Sequence, residues 1–255
     1  MEFPTADAAT AGGAGGASGV SPTRFPVWLP PDYDQGAERY PVIYVHHPQA
    51  RHEGRWIETL DRVVGRTVAL VIVVFLETPP GEALIDALIP IVDARFRTRA
   101  EAAGRANVGQ GFHTQAPLWD TFRKPGLFGH LAIQSYFGIE QQIEEITALA
   151  GDLSAADMPL RAYVEWGQWD IHSAHEAADV RDSGRWLEAF LRQRGWQVHG
   201  GEVFDSTDFS SWIHRTSLLL ETLFPIDGQI PHQKLHHWLA TGKGGSEPET
   251  AGSTP

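Results

Sequence analysis

Cysteine is absent from the 255 residues of the chain, so neither a disulfide nor a thiolate nucleophile is available. That absence is compatible with any compartment. Also missing is an apolar run approaching the roughly 18 residues that a membrane-spanning helix requires. The opening MEFPTADAATAGGAGGASGV has no basic start and no continuous apolar stretch, and does not read as a secretory signal. Positive charge is scarce: 20 Lys and Arg stand against 32 Asp and Glu, for a net charge of −12. A field of that sign repels phosphate backbones and anionic lipid alike, so neither nucleic acid nor a membrane is expected as a partner. The expectation is a soluble, cytoplasmic protein.

What is present is enough chain for one large α/β domain. Ala, Gly and Ser dominate residues 1–21, which read as a flexible arm, and residues 243–255 read as a disordered tail. Between them, residues 22–225 carry the domain. Residues 226–242 read as a C-terminal docking segment, with Leu235, Trp238 and Leu239 at helical spacing. Strand-like runs recur at 24–30, 40–47, 67–76, 106–111, 127–135, 159–167 and 196–204. Helical patterns separate several of them, at 83–96 (with Pro90 kinking the helix or lying near an end), 114–125 and 183–195, and one closing helix is expected over 210–224. Strands alternating with helices imply a mostly parallel central sheet covered on both faces.

The stretch GRANVGQGFHTQAPLW, residues 104–119, has the rhythm of a strand, a tight turn and a helix. With WLPPDYDQGAERYPVIYVHH before it and RKPGLFGHLAIQS after it, the chain resembles the enterochelin-esterase-like family of α/β-hydrolases over residues 25–225. The resemblance implies a three-layer α/β-hydrolase sandwich with a mostly parallel central sheet. It also implies a nucleophile on a strained turn of the form G-x-S-x-G. Here that register reads Gly109-Gln110-Gly111-Phe112-His113, so Gly111 stands where the serine would. The family's closing G-G-H-D-W-x-x-W motif matches Asp205-Ser206-Thr207-Asp208-Phe209-Ser210-Ser211-Trp212, which puts Thr207 at the general-base position. The oxyanion segment matches His47-Pro48, and proline supplies no N–H. Asp170 falls about where the triad carboxylate belongs. The triad positions Gly111, Asp170 and Thr207 are therefore degenerate, and the resemblance points to an esterase fold without hydrolysis.

Such a protein would bind a protein partner or small ligand, using a former active site that includes His47, Pro48, Gln110, Phe112, His113, Ser135, Trp169 and Asp208. A homo-oligomer stays open, and no cofactor is expected. The alternative is an enzyme after all. It would be a carboxylic-ester hydrolase using displaced residues, with Ser135 as the obvious candidate, or would use metal-assisted chemistry in a histidine-rich pocket. His46, His47, His113 and Asp170 would be the ligands in that pocket, although none of their local spacings is a metal-binding motif and no metal is expected. Ser210 and Ser211 read as helix N-caps, and His214 is expected to point elsewhere.

Overall fold

The computed structural model describes residues 25–47, 49–76, 84–170, 172–173, 178–206 and 208–231. Seven strands form one sheet, among them β1 (Val27–Trp28), β2 (Val42–His46), β3 (Ile72–Phe75) and β4 (Arg105–Gln110). It continues through β5 (His130–Gln134) and β6 (Arg161–Gly167). A small hairpin, β7 (His172–Ser173) with β8 (Ala178–Asp179), stands apart, and β9 (Gln197–Val203) closes the large sheet. The order is β1-β3-β2-β4-β5-β6-β9, with every pairing parallel except β1 with β3. All five residues of β2 are buried, as a strand covered on both faces requires.

The helices are α1 (Trp56–Val63), α2 (Ile89–Arg95), α3 (Gln115–Arg123), α4 (Glu140–Ala150), α5 (Val180–Gln193), α6 (Phe209–Ile213) and α7 (Thr216–Leu223). Alternation along the strands sorts the core into two faces. Ile43, Val45, Val73, Val108 and Ala132 pack under α1 and α7 through Trp56, Leu60, Leu219 and Leu223. On the opposite face α3, α4 and α5 cover Leu131, Ile133 and Val164, while α2 covers Val42, Tyr44 and Ile72. The result is the three-layer sandwich that the sequence implied. Among the described residues no helix is long and apolar enough to cross a membrane.

Several elements differ from the sequence reading. The expected closing helix over 210–224 is two helices, broken at His214 and Arg215, because Arg215 turns inward to a buried carboxyl. Asp208, not Ser210 or Ser211, caps α6, accepting a hydrogen bond from the Ser211 N–H at 2.9 Å. The run over 67–76 is a strand only from Ile72 onward. Helices α1 and α4 were not anticipated. Pro90 lies in the first turn of α2, immediately after a π-helical turn at Leu84–Leu88, where a missing N–H costs nothing.

This topology fixes where a site must lie. From β2 the chain proceeds to β3 on one side, and from β4 to β5 on the other, so the strand order reverses between β2 and β4. In open α/β sheets the crevice at the carboxyl ends of such a pair is where ligands bind. His46, His47, Gln110 and Gly111 sit there. The far end of the chain departs from the other edge. Thr222 and Leu223 offer their carbonyls to Arg161 at the start of β6, and Pro225 bridges to Val68 ahead of β3. Residues 226–231 thus leave the fold opposite the site, and Leu235, Trp238 and Leu239 lie outside the described residues, as do the arm 1–21 and the tail 243–255.

Candidate active site at the carboxyl edge of the sheet

The strand–turn–helix of the expected elbow is present: β4 ends at Gln110, Gly111–His113 form a single 3-10 turn, and α3 follows. Gly109 is needed for close approach, since a Cβ there would meet the His113 carbonyl oxygen at 2.6 Å and the Pro117 ring at 2.7 Å. Gly111 has φ +55°, in the left-handed region that strains any residue with a Cβ. At the turn of the strand–turn–helix the backbone is therefore left-handed, with glycine at its apex. The space beside it is also filled: a Cβ at Gly111 would lie 2.8 Å from Cη2 of Trp212.

Trp212 is fixed in that place from several sides. Its Nε1–H donates to Ser135 Oγ at 3.1 Å, and its ring makes edge contacts with Phe209 and His47 at centroid distances of 5.6 and 6.2 Å. Ser135 directly follows β5 with φ +57°, one of three non-glycine residues at positive φ among those described. It is almost fully buried, and its hydroxyl faces an indole N–H, which donates a proton and cannot accept one.

The histidines at this edge are held neutral. His46 donates from Nε2 to Asn107 Oδ1 at 2.6 Å, since the Asn107 amide nitrogen is already directed at the Pro117 carbonyl. Burial pushes the His46 imidazole down to about 3, and its Nδ1 is buried without a hydrogen-bond partner. His47 accepts the Gln49 N–H at Nδ1 and rests on His113 with ring centroids 4.4 Å apart. Burial, then the neighbouring His113, lowers His47 to about 4, and burial lowers His113 as well. Among the described residues no group of three or more His, Cys, Asp or Glu is arranged to hold a metal ion. His46, His47 and Asp170 each spend a ligand atom on the hydrogen bonds named in this section.

Beneath the elbow runs a buried polar chain. Gln110 donates to Gln134, and Gln134 to Glu165 at 2.7 Å. Glu165, which has no solvent exposure, also accepts from Tyr163 and from Arg215 Nε at 2.9 Å. Arg215 continues to Asp205, which takes a further bond from Ser211 at 2.6 Å. Burial opposes ionisation of Asp205, but the bonds from Ser211, Ser206 and Arg215 outweigh it and hold the carboxyl below its ordinary range. Gln110 was expected to line the pocket. Its side chain instead points into this chain on the α1 and α7 face, because it shares the alternation of Val108.

Asp170, expected to be the triad carboxylate, follows β6, and its Oδ2 accepts the Gly167 N–H of its own turn at 2.7 Å. The loops after β6 and β9 are laced together, Trp169 N–H to the Asp205 carbonyl at 3.1 Å and Ser206 Oγ to the Trp169 carbonyl at 3.3 Å. Pro48 and Thr207 lie outside the described residues. Trp169 does not line the elbow; it stands exposed against Phe204, ring centroids 4.2 Å apart. Phe112, the side chain after Gly111, is also turned outward at 67% exposure and packs on Phe137. With Phe137, Ile139 and Gln142 it lines a shallow depression of about 350 Å³. His214 is exposed at the end of α6. Sequence reasoning missed Phe204, Glu165 and Arg215. A glutamate inside the apolar run RAYVEWG was the available signal for the second.

No protein-family model matches the chain, and no curated protein matches its sequence. Solved structures do match. A ferulic acid esterase aligns with a TM-score of 0.65 at 16% identity, over 78% of this chain and 90% of that one. An IroE-like serine hydrolase from Shewanella oneidensis aligns at 0.62 and 14% identity, over 79% of this chain and 75% of that one. The enterobactin esterase of Shigella flexneri aligns at 0.60 and 17% identity, over 79% of this chain and 55% of that one. At such identities the likeness speaks for architecture: this chain has the α/β-hydrolase fold in the form seen in these esterases.

Proposed function

We propose that the chain is a non-hydrolytic protein on an esterase scaffold, acting by binding a partner protein or a small ligand at the carboxyl edge of its sheet. The observation that carries this reading is the pair Gly111 and Trp212: glycine at the nucleophile's backbone position, with an indole where the nucleophile's side chain would project. A side chain that cannot exist cannot attack a carbonyl, and a filled site leaves no room for an acyl group. The rim around this plug favours a protein partner. Phe112, Trp169 and Phe204 follow β4, β6 and β9 on the same edge, and all three are more than half exposed. Exposed aromatics grouped this way are a mark of interaction surfaces.

The competing reading, hydrolysis by a displaced serine, has one observation in its favour. Ser135 sits at a strand end with the positive φ of a nucleophile. Against it, Trp212 occupies its hydroxyl. Incubation with a fluorophosphonate probe and with p-nitrophenyl acetate separates the two readings. We expect no labelled serine and no turnover above the rate of a Ser135→Ala control. A labelled Ser135, with turnover abolished in that control, would overturn the proposal. Native mass spectrometry of untagged protein from its own host then tests for the bound partner directly.

A further inference from the structure

We infer that the cleft along the edge strand β1 is a binding site for a small organic cation with an apolar body. The cleft measures about 430 Å³, within the range of small-ligand sites, and is separate from the plugged elbow. One wall is β1 with the residues on either side of it, where Trp28, Leu29 and Pro30 present apolar surface. Ile57 of α1, Phe75 at the end of β3 and Tyr33 of the following turn complete its lining.

Charge gives the class of occupant. Among the described residues, three carboxylates, Asp32, Asp34 and Asp61, line this apolar cleft against a single guanidinium, that of Arg51. Arg51 already directs its Nε at His52 at 2.8 Å. The Trp28 indole donates to Asp61 Oδ1 at 3.2 Å, which sets a carboxylate at the edge of the main aromatic wall. Asp32 holds the turn Tyr33–Gln35 in place with φ +58° and accepts from Gln35 at 3.0 Å, and Asp34 is exposed in that turn. A cation is therefore attracted by net negative charge and by an indole face, and its apolar body is covered by prolines, Leu29 and Ile57. An anion of the same shape meets two uncompensated negative charges.

The test uses three probes with one apolar body: phenylpropylamine, phenylpropanol and phenylpropionate. Binding is followed on the indole N–H resonances of the full chain, with Trp28 assigned by a Trp28→Phe variant. The amine should saturate and shift the Trp28 signal. The alcohol should bind at least tenfold more weakly and the acid more weakly still. Asp34→Asn with Asp61→Asn should bring the amine to the alcohol's affinity, as should high salt. Both positions are exposed, so this variant keeps its fold. Equal affinity for the three probes, an amine isotherm unchanged in the double variant, or no saturable amine binding would each overturn the assignment. None of these results bears on the elbow, whose reading stands or falls separately.

Discussion

Replacing Gly111 by alanine is the most direct test of the plugged elbow, and its cost can be built from parts. A non-glycine residue in the left-handed region costs about 1–2 kcal/mol. The new Cβ would lie 2.8 Å from Cη2 of Trp212, well inside ordinary carbon–carbon contact, and overpacking of that kind costs about 1–3 kcal/mol. Alanine regains about 0.4–1 kcal/mol by restricting the unfolded chain. The sum is a loss of about 1–5 kcal/mol, centred near 3. Urea unfolding followed by circular dichroism at constant slope measures it. Trp212→Phe removes the outer ring that causes the clash, so a double-mutant cycle isolates the packing part. In the Trp212→Phe background, Gly111→Ala should cost only the backbone strain less the entropy gain, with a coupling energy of about 1–3 kcal/mol. A neutral Gly111→Ala, or strict additivity with Trp212→Phe, would refute the claim that the indole occupies the nucleophile's place.

Arg215→Met leaves the buried Glu165 without its cation and should cost about 3–5 kcal/mol, whereas Glu165→Gln should cost clearly less because Arg215 keeps Asp205; denaturant midpoints give the order. Stability should fall as the pH drops below about 6.5, the ordinary histidine value. His46, His47 and His130, at about 3, 4 and 4 in the fold, take up protons only on unfolding, so what they contribute is complete above the ordinary value and lost as pH falls toward the folded ones. Asp120, raised to about 7 by burial, acts in the opposite sense, stabilising below its unfolded value and losing that contribution as pH rises through 7. Three protons against one give a slope of at most about 2.7 kcal/mol per pH unit near pH 5, and His130→Asn should reduce it by about one proton. Trp169→Ala with Phe204→Ala should leave stability within about 1 kcal/mol and abolish retention of a partner in native mass spectra, if the aromatic rim is the docking surface.

The parts legible in the sequence were those set by local pattern. The β-branched runs placed β2 and β3, and the Gly109-x-Gly111 register placed the elbow, because a tight turn between strand and helix writes itself in glycines. What was hidden depended on residues far apart in the chain. Nothing near position 111 announces that an indole a hundred residues later fills its vacant space. Helix propensity runs unbroken through His214 and Arg215, and only the pull of Glu165 and Asp205 on Arg215 divides the segment. Gln110 was read as pocket wall because it stands beside Gly111 at the end of the strand, while its side chain obeys the pleat. Helix α1 has buried residues at Trp56, Thr59, Leu60 and Val63, a clean helical spacing that the polar loop before it obscured.

Both edges of the sheet carry a further consequence. Strand β1 is only two residues long and lies between Pro26 and Pro30. Strand β9 contains Gly200 and Gly201 at φ +99° and +119°, and Arg192 covers the Val198 carbonyl. Among the described residues, neither border of the large sheet offers the straight row of free N–H and C=O groups on which a foreign strand could grow. The large sheet is therefore guarded at both borders against growth by strand addition, and an assembly formed there would be recognised by side chains, open to tuning by surface substitutions without putting the sheet at risk.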